Sequence, residues 1–369
     1  MDGPTTLVFL AVVGARFLVP LAIPRWPLPA IVASLVLDAA DQTVFQTFGY
    51  DPPGYQSYDK AMDVYYLAIA YLATLRNFSS LPAFRIGRFL YFYRLVGVVA
   101  FELSAARPLL LIFPNTFEYF FIAYEAVRSR WSPTRFGVRW WLWAAALIWV
   151  VVKLPQEYWI HVAKLDVTDQ LSAHVWAGPL LVLLGVGAAL VVRRRLVPRL
   201  PPPAWPWRLR ADPLPEAIDT AREQQEWHIV HGRVWSLPTL EKVALVGMIA
   251  VVYGQSLPGV SATALQVFIG TGVVVALNAA ITLALARRRW AVLESSLATF
   301  ALRMALNVAL VALAEAVLGL GTEDVDTISS LFFLGMISLI TTLHDRWLPV
   351  YELRRRDERT AAAATASPA

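Results

Sequence analysis

Four aspartates stand out between residues 38 and 63, in a part of the chain that is otherwise largely apolar. Asp38 and Asp41 are three residues apart, and Asp59 and Asp63 are four apart, so each pair shares one face of a helix. Neighbouring carboxylates repel each other unless a cation, a proton or an arginine lies between them. Carboxylate oxygens are the ligands of hard divalent cations. The four residues therefore predict a site for a divalent cation, Mg²⁺ or Mn²⁺, with all four as metal ligands.

Three more ionisable side chains fall near the middle of apolar segments, where a charge costs a few kcal/mol or more. They are Arg94, Glu118 and Arg303. Arg94 and Glu118 lie at similar depth in consecutive segments, with Glu102 and Asn115 peripheral to them. We expect Arg94 to bind an anionic group, and we assign catalytic roles to Asp63, Arg94 and Glu118. Pairing of helices through arginine and carboxylate explains the same residues equally well.

The spacing of the four aspartates, with two, seventeen and three residues between successive members, resembles the motif of CDP-alcohol phosphotransferases. In that family the aspartates hold two divalent metals, and the last aspartate is assigned as the base for the attacking alcohol. The resemblance thus implies a two-metal clamp on a phosphoryl group, with Asp63 as the base. It covers residues 38–63, and Gln42, Phe45 and Gln46 stand where the family has glycine, alanine and arginine.

The composition excludes ordinary soluble, disordered and nucleic-acid-binding proteins. Of the 369 residues, 57% are hydrophobic and 16% are charged, whereas charged residues make up about a quarter of a soluble protein. The chain has no cysteine, which excludes disulfides, zinc–thiolate sites and cysteine nucleophiles. Apolar stretches near the ~20 residues that cross a bilayer recur along the chain. We therefore expect a multi-pass protein of the plasma membrane, with the lipid bilayer as its partner.

The predicted fold is all-α, a bundle of about eleven transmembrane helices. The apolar segments are too long and too uniformly apolar to be the alternating strands of a barrel. The expected segments are roughly 7–24, 29–48, 59–75, 86–103, 108–127, 140–162, 174–192, 241–257, 263–286, 294–319 and 327–343.

Arginines mark every second connection and the C-terminal tail. The clearest runs are Arg193–Arg195, Arg287–Arg289 and Arg354–Arg356, and the intervening connections are nearly free of basic residues. Because basic residues are retained in cytoplasmic loops, this alternation predicts that the N-terminus is outside and the C-terminus is cytoplasmic.

Four regions follow from this pattern. Residues 1–192 form a seven-span part that carries the polar site, and residues 241–350 form a four-span part. Between them, residues 193–240 are a cytoplasmic basic and proline-rich linker, expected to lie on anionic headgroups and to end in an amphipathic helix from Pro215 to Val230. Residues 351–369 are a cytoplasmic tail, and its end is expected to be disordered.

Three functions fit these residues. The first is a metal-dependent intramembrane transferase that acts on a lipid-linked or phosphorylated substrate. The second is a secondary transporter coupled to protons or cations, in which the same carboxylates titrate or bind ions. The third is a structural or assembly protein in which the charges only pair helices. The sequence does not choose among the three, and it does not set the oligomeric state.

Overall fold

A computed structural model of the chain describes residues 3–48, 55–159, 163, 174–199, 201–256, 262–289, 295–318 and 327–366. The described residues are largely helical and contain no strand, which confirms the all-α class. The helices are α1 Gly3–Leu18, α2 Pro27–Thr47, α3 Tyr55–Asn77, α4 Leu81–Ser104, α5 Pro108–Ile112, α6 Thr116–Arg128, α7 Val138–Glu157, α8 Ala177–Val191, α9 Ala221–His231, α10 Leu237–Ser256, α11 Ala264–Arg287, α12 Ser296–Leu318 and α13 Thr327–Ala366.

A helix overlaps each of the segments expected from the sequence, and the fifth segment is divided. Helix α5 ends at Ile112, and α6 begins at Thr116. Pro114 lies between them, and a proline has no N–H to continue the helical hydrogen bonds. The division therefore follows from the sequence, and it turns out to position part of the polar site.

Four of the described helical segments are long and apolar enough to cross a bilayer, fewer than the eleven segments expected. They are Val138–Glu157, Leu237–Gln255, Ala264–Arg287 and Ser296–Leu313. Helices α3 and α4 have similar lengths, but each carries several charged side chains. Large apolar side chains such as Trp143, Val182 and Leu183 are more than half exposed, which is typical of a surface that contacts lipid or another protein.

Helix α3 lies at the centre of the bundle. Its residues from Tyr65 to Ala73 are almost completely buried. It packs against α1, α2, α4 and α6, which precede the linker, and against α10 and α13, which follow it. The Tyr253 hydroxyl of α10 donates a hydrogen bond to the Ala61 carbonyl of α3 at 2.8 Å. The parts of the chain before and after the linker therefore share one hydrophobic core.

Residues 201–212 lie against one end of the bundle. The Ala211 amide donates to the Arg25 carbonyl at 2.9 Å, and the Trp205 indole donates to the Arg128 carbonyl at 3.0 Å. These bonds bring together connections that the arginine pattern assigns to one side. They also tie this part of the linker to protein backbone, a contact that the sequence did not predict beside the expected one with lipid headgroups.

The C-terminal tail is helical over most of its length. Helix α13 continues to Ala366, past the point at which disorder was expected. Alanine has the highest helix propensity of all residues, so the alanines from position 361 onward extend the helix. Residues 367–369 lie outside the described residues.

Candidate functional site

The four aspartates converge on a single arginine, Arg16 of α1. The guanidinium donates to Asp59 at 2.8 Å and to Asp63 at 3.0 Å. It also donates to Asp38 and to Asp41. Three helices therefore meet at one ionic cluster, which we call the Arg16 cluster: Arg16, Asp38, Asp41, Asp59 and Asp63.

Helical spacing explains how four carboxylates reach one point. The residues of each pair are one helical turn apart, so α2 presents Asp38 and Asp41, and α3 presents Asp59 and Asp63, on adjoining faces. Helix α1 is held beside α3 by Phe17, whose carbonyl accepts a hydrogen bond from the Tyr65 hydroxyl at 2.9 Å. The two rings also stack at 4.9 Å. Arg16, the residue before Phe17, is thereby directed at the carboxylates.

Charge within the Arg16 cluster is unbalanced. Four carboxylates contact one guanidinium, which leaves an excess of three negative charges if all four aspartates are ionised. Arg16 and Asp41 are buried, with side chains 3% and 0% exposed, whereas Asp38, Asp59 and Asp63 are 25–37% exposed. The outer three carboxylates are therefore partly open to solvent, and Asp41 is the inner partner of Arg16.

The same three carboxylates fit a metal ion. Asp38, Asp59 and Asp63 each offer an oxygen, and these oxygens lie within 4.8 Å of one another. Oxygens on opposite sides of Mg²⁺ are about 4.2 Å apart, since each bond is about 2.1 Å long. The spread of the three oxygens is therefore close to that of the ligands of such an ion, and each of the three carboxylates also accepts a hydrogen bond from Arg16. Asp41, also assigned as a ligand from the sequence, contributes no oxygen to this group.

Glu118 lies in a separate polar pocket next to the Arg16 cluster. Its carboxylate accepts hydrogen bonds from the Tyr66 hydroxyl at 2.6 Å and from the Asn115 side-chain amide at 2.8 Å. Tyr66 is on α3, three residues after Asp63, so it connects this pocket to the Arg16 cluster along one helix face. Asn115 occupies the break between α5 and α6, and its backbone N–H donates to the Glu157 carboxylate at 3.4 Å.

Arg94 does not pair with Glu118 through any hydrogen bond or ion pair among the described residues. Its guanidinium donates to the Phe113 carbonyl at 2.9 Å, a group that the break before α6 leaves without a helical partner. Helix α4 approaches this break closely, since a Cβ on Gly97 would lie 2.1 Å from the Phe113 Cβ. Arg94 therefore stabilises the break that positions Asn115.

Other acids near the site have cationic partners. Glu102 pairs with Lys60 at 3.2 Å, and Glu157 pairs with Lys153 at 3.4 Å. Both pairs are distinct from the Arg16 cluster. The structure therefore brings together all four predicted metal ligands, places Glu118 beside them, and directs Arg94 to the backbone.

Two residues of the site had not been singled out from the sequence, Arg16 and Tyr66. Arg16 could have been found by the argument that identified the aspartates, since a lone arginine inside an apolar helix is also costly to bury. Tyr66 carried no such signal, because an aromatic residue in an apolar segment is ordinary. No protein-family model, curated protein or solved structure matches the chain.

Proposed function

We propose that this protein is an integral membrane protein of the plasma membrane, with about eleven membrane-spanning segments, that binds a divalent cation at the outer carboxylates of the Arg16 cluster. The observation that carries the proposal is the convergence of Asp38, Asp59 and Asp63 around a single guanidinium. One arginine cannot neutralise four carboxylates, and a partly buried cluster with excess negative charge favours cation binding or protonation. Mg²⁺ and Mn²⁺ are the ions of choice for an all-oxygen site.

We further propose that the bound cation serves a transferase acting on a phosphorylated or lipid-linked substrate. A divalent cation supplies charge neutralisation for a phosphoryl group. Asp63 is the proposed base, as the resemblance to CDP-alcohol phosphotransferases implies, because it is partly exposed and is itself one of the carboxylates of the ion site. Arg16 and Asp41 act as positioning residues: their buried ion pair fixes α1 against α2, and this keeps the outer three carboxylates turned toward one point.

Glu118 and Tyr66 are proposed to maintain the inner side of this site. The Tyr66 hydroxyl donates to Glu118 of α6. Tyr66 lies one helical turn after Asp63, so this bond anchors the same part of α3 to α6. This bond orients the α3 face on which the proposed base lies. Arg94, bonded to the Phe113 carbonyl, is assigned a structural role here rather than a role in binding the substrate.

A secondary transporter is the second candidate. The observation that favours it is a hydrogen-bonded series of polar groups that runs from Tyr66, one helical turn after Asp63, through Glu118 and Asn115 to Glu157. Such chains of carboxylates and hydroxyls carry protons or cations across membranes. In this alternative the carboxylates load and release an ion, and no bond in a substrate is broken.

Helix pairing is the third candidate, and the contacts of Arg16 favour it. An arginine that bridges three helices holds them together whether or not a cation binds. This function predicts that the aspartates affect stability alone.

A titration with Mn²⁺ separates these candidates. Purified full-length protein is titrated while the free ion is followed by electron paramagnetic resonance. Asp59→Asn and Asp63→Asn should each weaken binding at least tenfold, because each removes a carboxylate ligand. Glu102→Gln is the matched control, since that carboxylate is nearby but already paired with Lys60, and it should bind as the wild type does.

The outcomes are distinct. Binding that depends on these aspartates supports the cation site. Binding combined with uptake of Mn²⁺ or protons into sealed vesicles favours the transporter, and binding without uptake favours the transferase. Absence of Mn²⁺ binding in folded wild-type protein overturns the cation site and the transferase, and proton uptake into vesicles then separates a proton-coupled transporter from helix pairing.

A further inference from the structure

A second polar centre lies far along the chain from the Arg16 cluster, where α9 to α13 meet. It surrounds a cavity of about 290 Å³, at the lower end of the roughly 300–1,000 Å³ typical of small-molecule sites. Its polar wall includes Trp227, His228, Lys242, Thr282, Arg303 and Arg356. None of these residues belongs to the Arg16 cluster or to the pocket of Glu118.

Asp345 holds the two innermost cations of this cavity in place. It accepts hydrogen bonds from Arg303 at 2.5 Å and from Lys242 at 2.7 Å. Burial opposes ionisation of this carboxyl, but the two cations outweigh burial and hold the pKa of Asp345 well below its usual range. One ionised carboxylate therefore faces two cations, and a positive charge remains at the cavity wall.

Two nitrogens of the Arg303 guanidinium group lack hydrogen-bond partners in the described part of the chain. Its side chain is 1% exposed, and Nη2 bonds to Asp345 and to the Thr282 hydroxyl. Its Nε and Nη1 have no hydrogen-bond partner in the described part of the chain. The indole N–H of Trp227, on the same cavity, also lacks one there. Buried donors without partners are costly and call for an explanation, of which a missing ligand is one.

The rest of the lining is also basic. Five lysine and arginine side chains line the cavity, against two carboxylates. Arg356 is exposed at one side of the cavity, and its guanidinium donates to His231 Nε2 at 2.8 Å. His231 Nδ1 lies 3.2 Å from the Trp227 carbonyl, so His231 connects the exposed guanidinium of Arg356 to α9.

We propose that this cavity binds a phosphate-bearing anion. Arg303 and Trp227 supply the inner donors, and Arg356 supplies charge at the exposed side. Each unpartnered nitrogen of the guanidinium is a charge-assisted donor for one phosphate oxygen. Leu283 and Ala286 of α11 add an apolar wall, so the phosphate can belong to a lipid headgroup or to a small soluble phosphate ester. This site is independent of the proposed function of the Arg16 cluster.

Binding of two probes tests the proposal and identifies the source of the phosphate. Full-length protein in detergent is titrated with glycerol 3-phosphate, and separately with phosphatidate in mixed micelles against diacylglycerol as the uncharged lipid. Wild-type protein should bind one or both phosphates. Arg303→Gln should weaken binding at least tenfold. Trp227→Phe, which removes one N–H and no charge, should weaken it about threefold to tenfold.

Arg287→Gln is the matched control, because Arg287 is an exposed arginine near the same end of α11 and does not line the cavity. It should bind as the wild type does. Binding of glycerol 3-phosphate indicates a soluble ester, and binding of phosphatidate alone indicates a lipid headgroup. The proposal is overturned if the wild type binds neither probe, or if Trp227→Phe and Arg287→Gln bind equally.

Discussion

Replacement of Arg16 by glutamine tests the energetics of the Arg16 cluster. The guanidinium and the Asp41 carboxylate are buried, at 3% and 0% exposure, and the substitution leaves Asp41 buried with no opposite charge from Arg16. Removing one partner of a buried ion pair costs about 3–5 kcal/mol. We expect Arg16→Gln to lower the free energy of unfolding by this amount. The loss should lie near the upper end of that range, because the three outer carboxylates repel one another once the guanidinium is gone.

A double-mutant cycle isolates the Arg16–Asp41 pair. Asp41→Asn removes the inner carboxylate, so Arg16→Gln combined with Asp41→Asn should cost about 2 kcal/mol less than the sum of the two single changes. Unfolding in mixed micelles, followed by tryptophan fluorescence, measures each free energy. Arg25→Gln is the matched control, because Arg25 is exposed, and it should change stability by less than about 0.5 kcal/mol.

Mn²⁺ should partly restore the Arg16→Gln variant. An ion that binds only the folded state at one hundred times its dissociation constant stabilises by about 2.7 kcal/mol. The reasoning is refuted if Arg16→Gln costs less than about 1 kcal/mol, or if the costs of the two single substitutions simply add.

Three further predictions concern contacts outside the cluster. Tyr66→Phe removes the hydroxyl that donates to Glu118 and should cost about 1–3 kcal/mol in unfolding experiments, since a buried carboxylate loses a donor. Burial lowers the pKa of His228, so the unfolded state binds more protons below about pH 6.5 and stability falls from pH 7 to 5. His228→Gln should flatten this slope, and an unchanged slope would contradict it. Trp205→Phe breaks the bond to the Arg128 carbonyl and should increase protease cleavage within residues 201–212, while cleavage elsewhere stays constant.

The sequence predicted the convergence of the aspartates for a physical reason. Pairs spaced three and four residues apart share a helix face, and charged residues in apolar segments must find partners. The sequence could not specify which group each buried charge would bond to. Arg94 lay at the depth of Glu118, but the break at Pro114 exposes the Phe113 carbonyl, and Arg94 donates to that carbonyl rather than to Glu118.

The number of membrane-crossing helices shows a similar limit. Helices occur in all the expected segments, yet α3 and α4 carry charged side chains that pair with side chains of other helices: Asp63 with Arg16, Lys60 with Glu102, and Arg88 with Glu241. A hydropathy pattern describes each segment by itself. Whether a charged side chain is paired depends on residues that are distant in the chain, which the pattern does not include. The cavity around Arg303 was also beyond the sequence, because five helices from separate segments build it.

The most direct test of the central claim is the anomalous scattering of Mn²⁺ in crystals of the full-length protein. The account predicts one peak among the carboxylates of Asp38, Asp59 and Asp63, with Arg16 still bonded to Asp41. A peak elsewhere, or an Arg16 cluster that stays free of Mn²⁺ in crystals soaked at millimolar concentration, would contradict it.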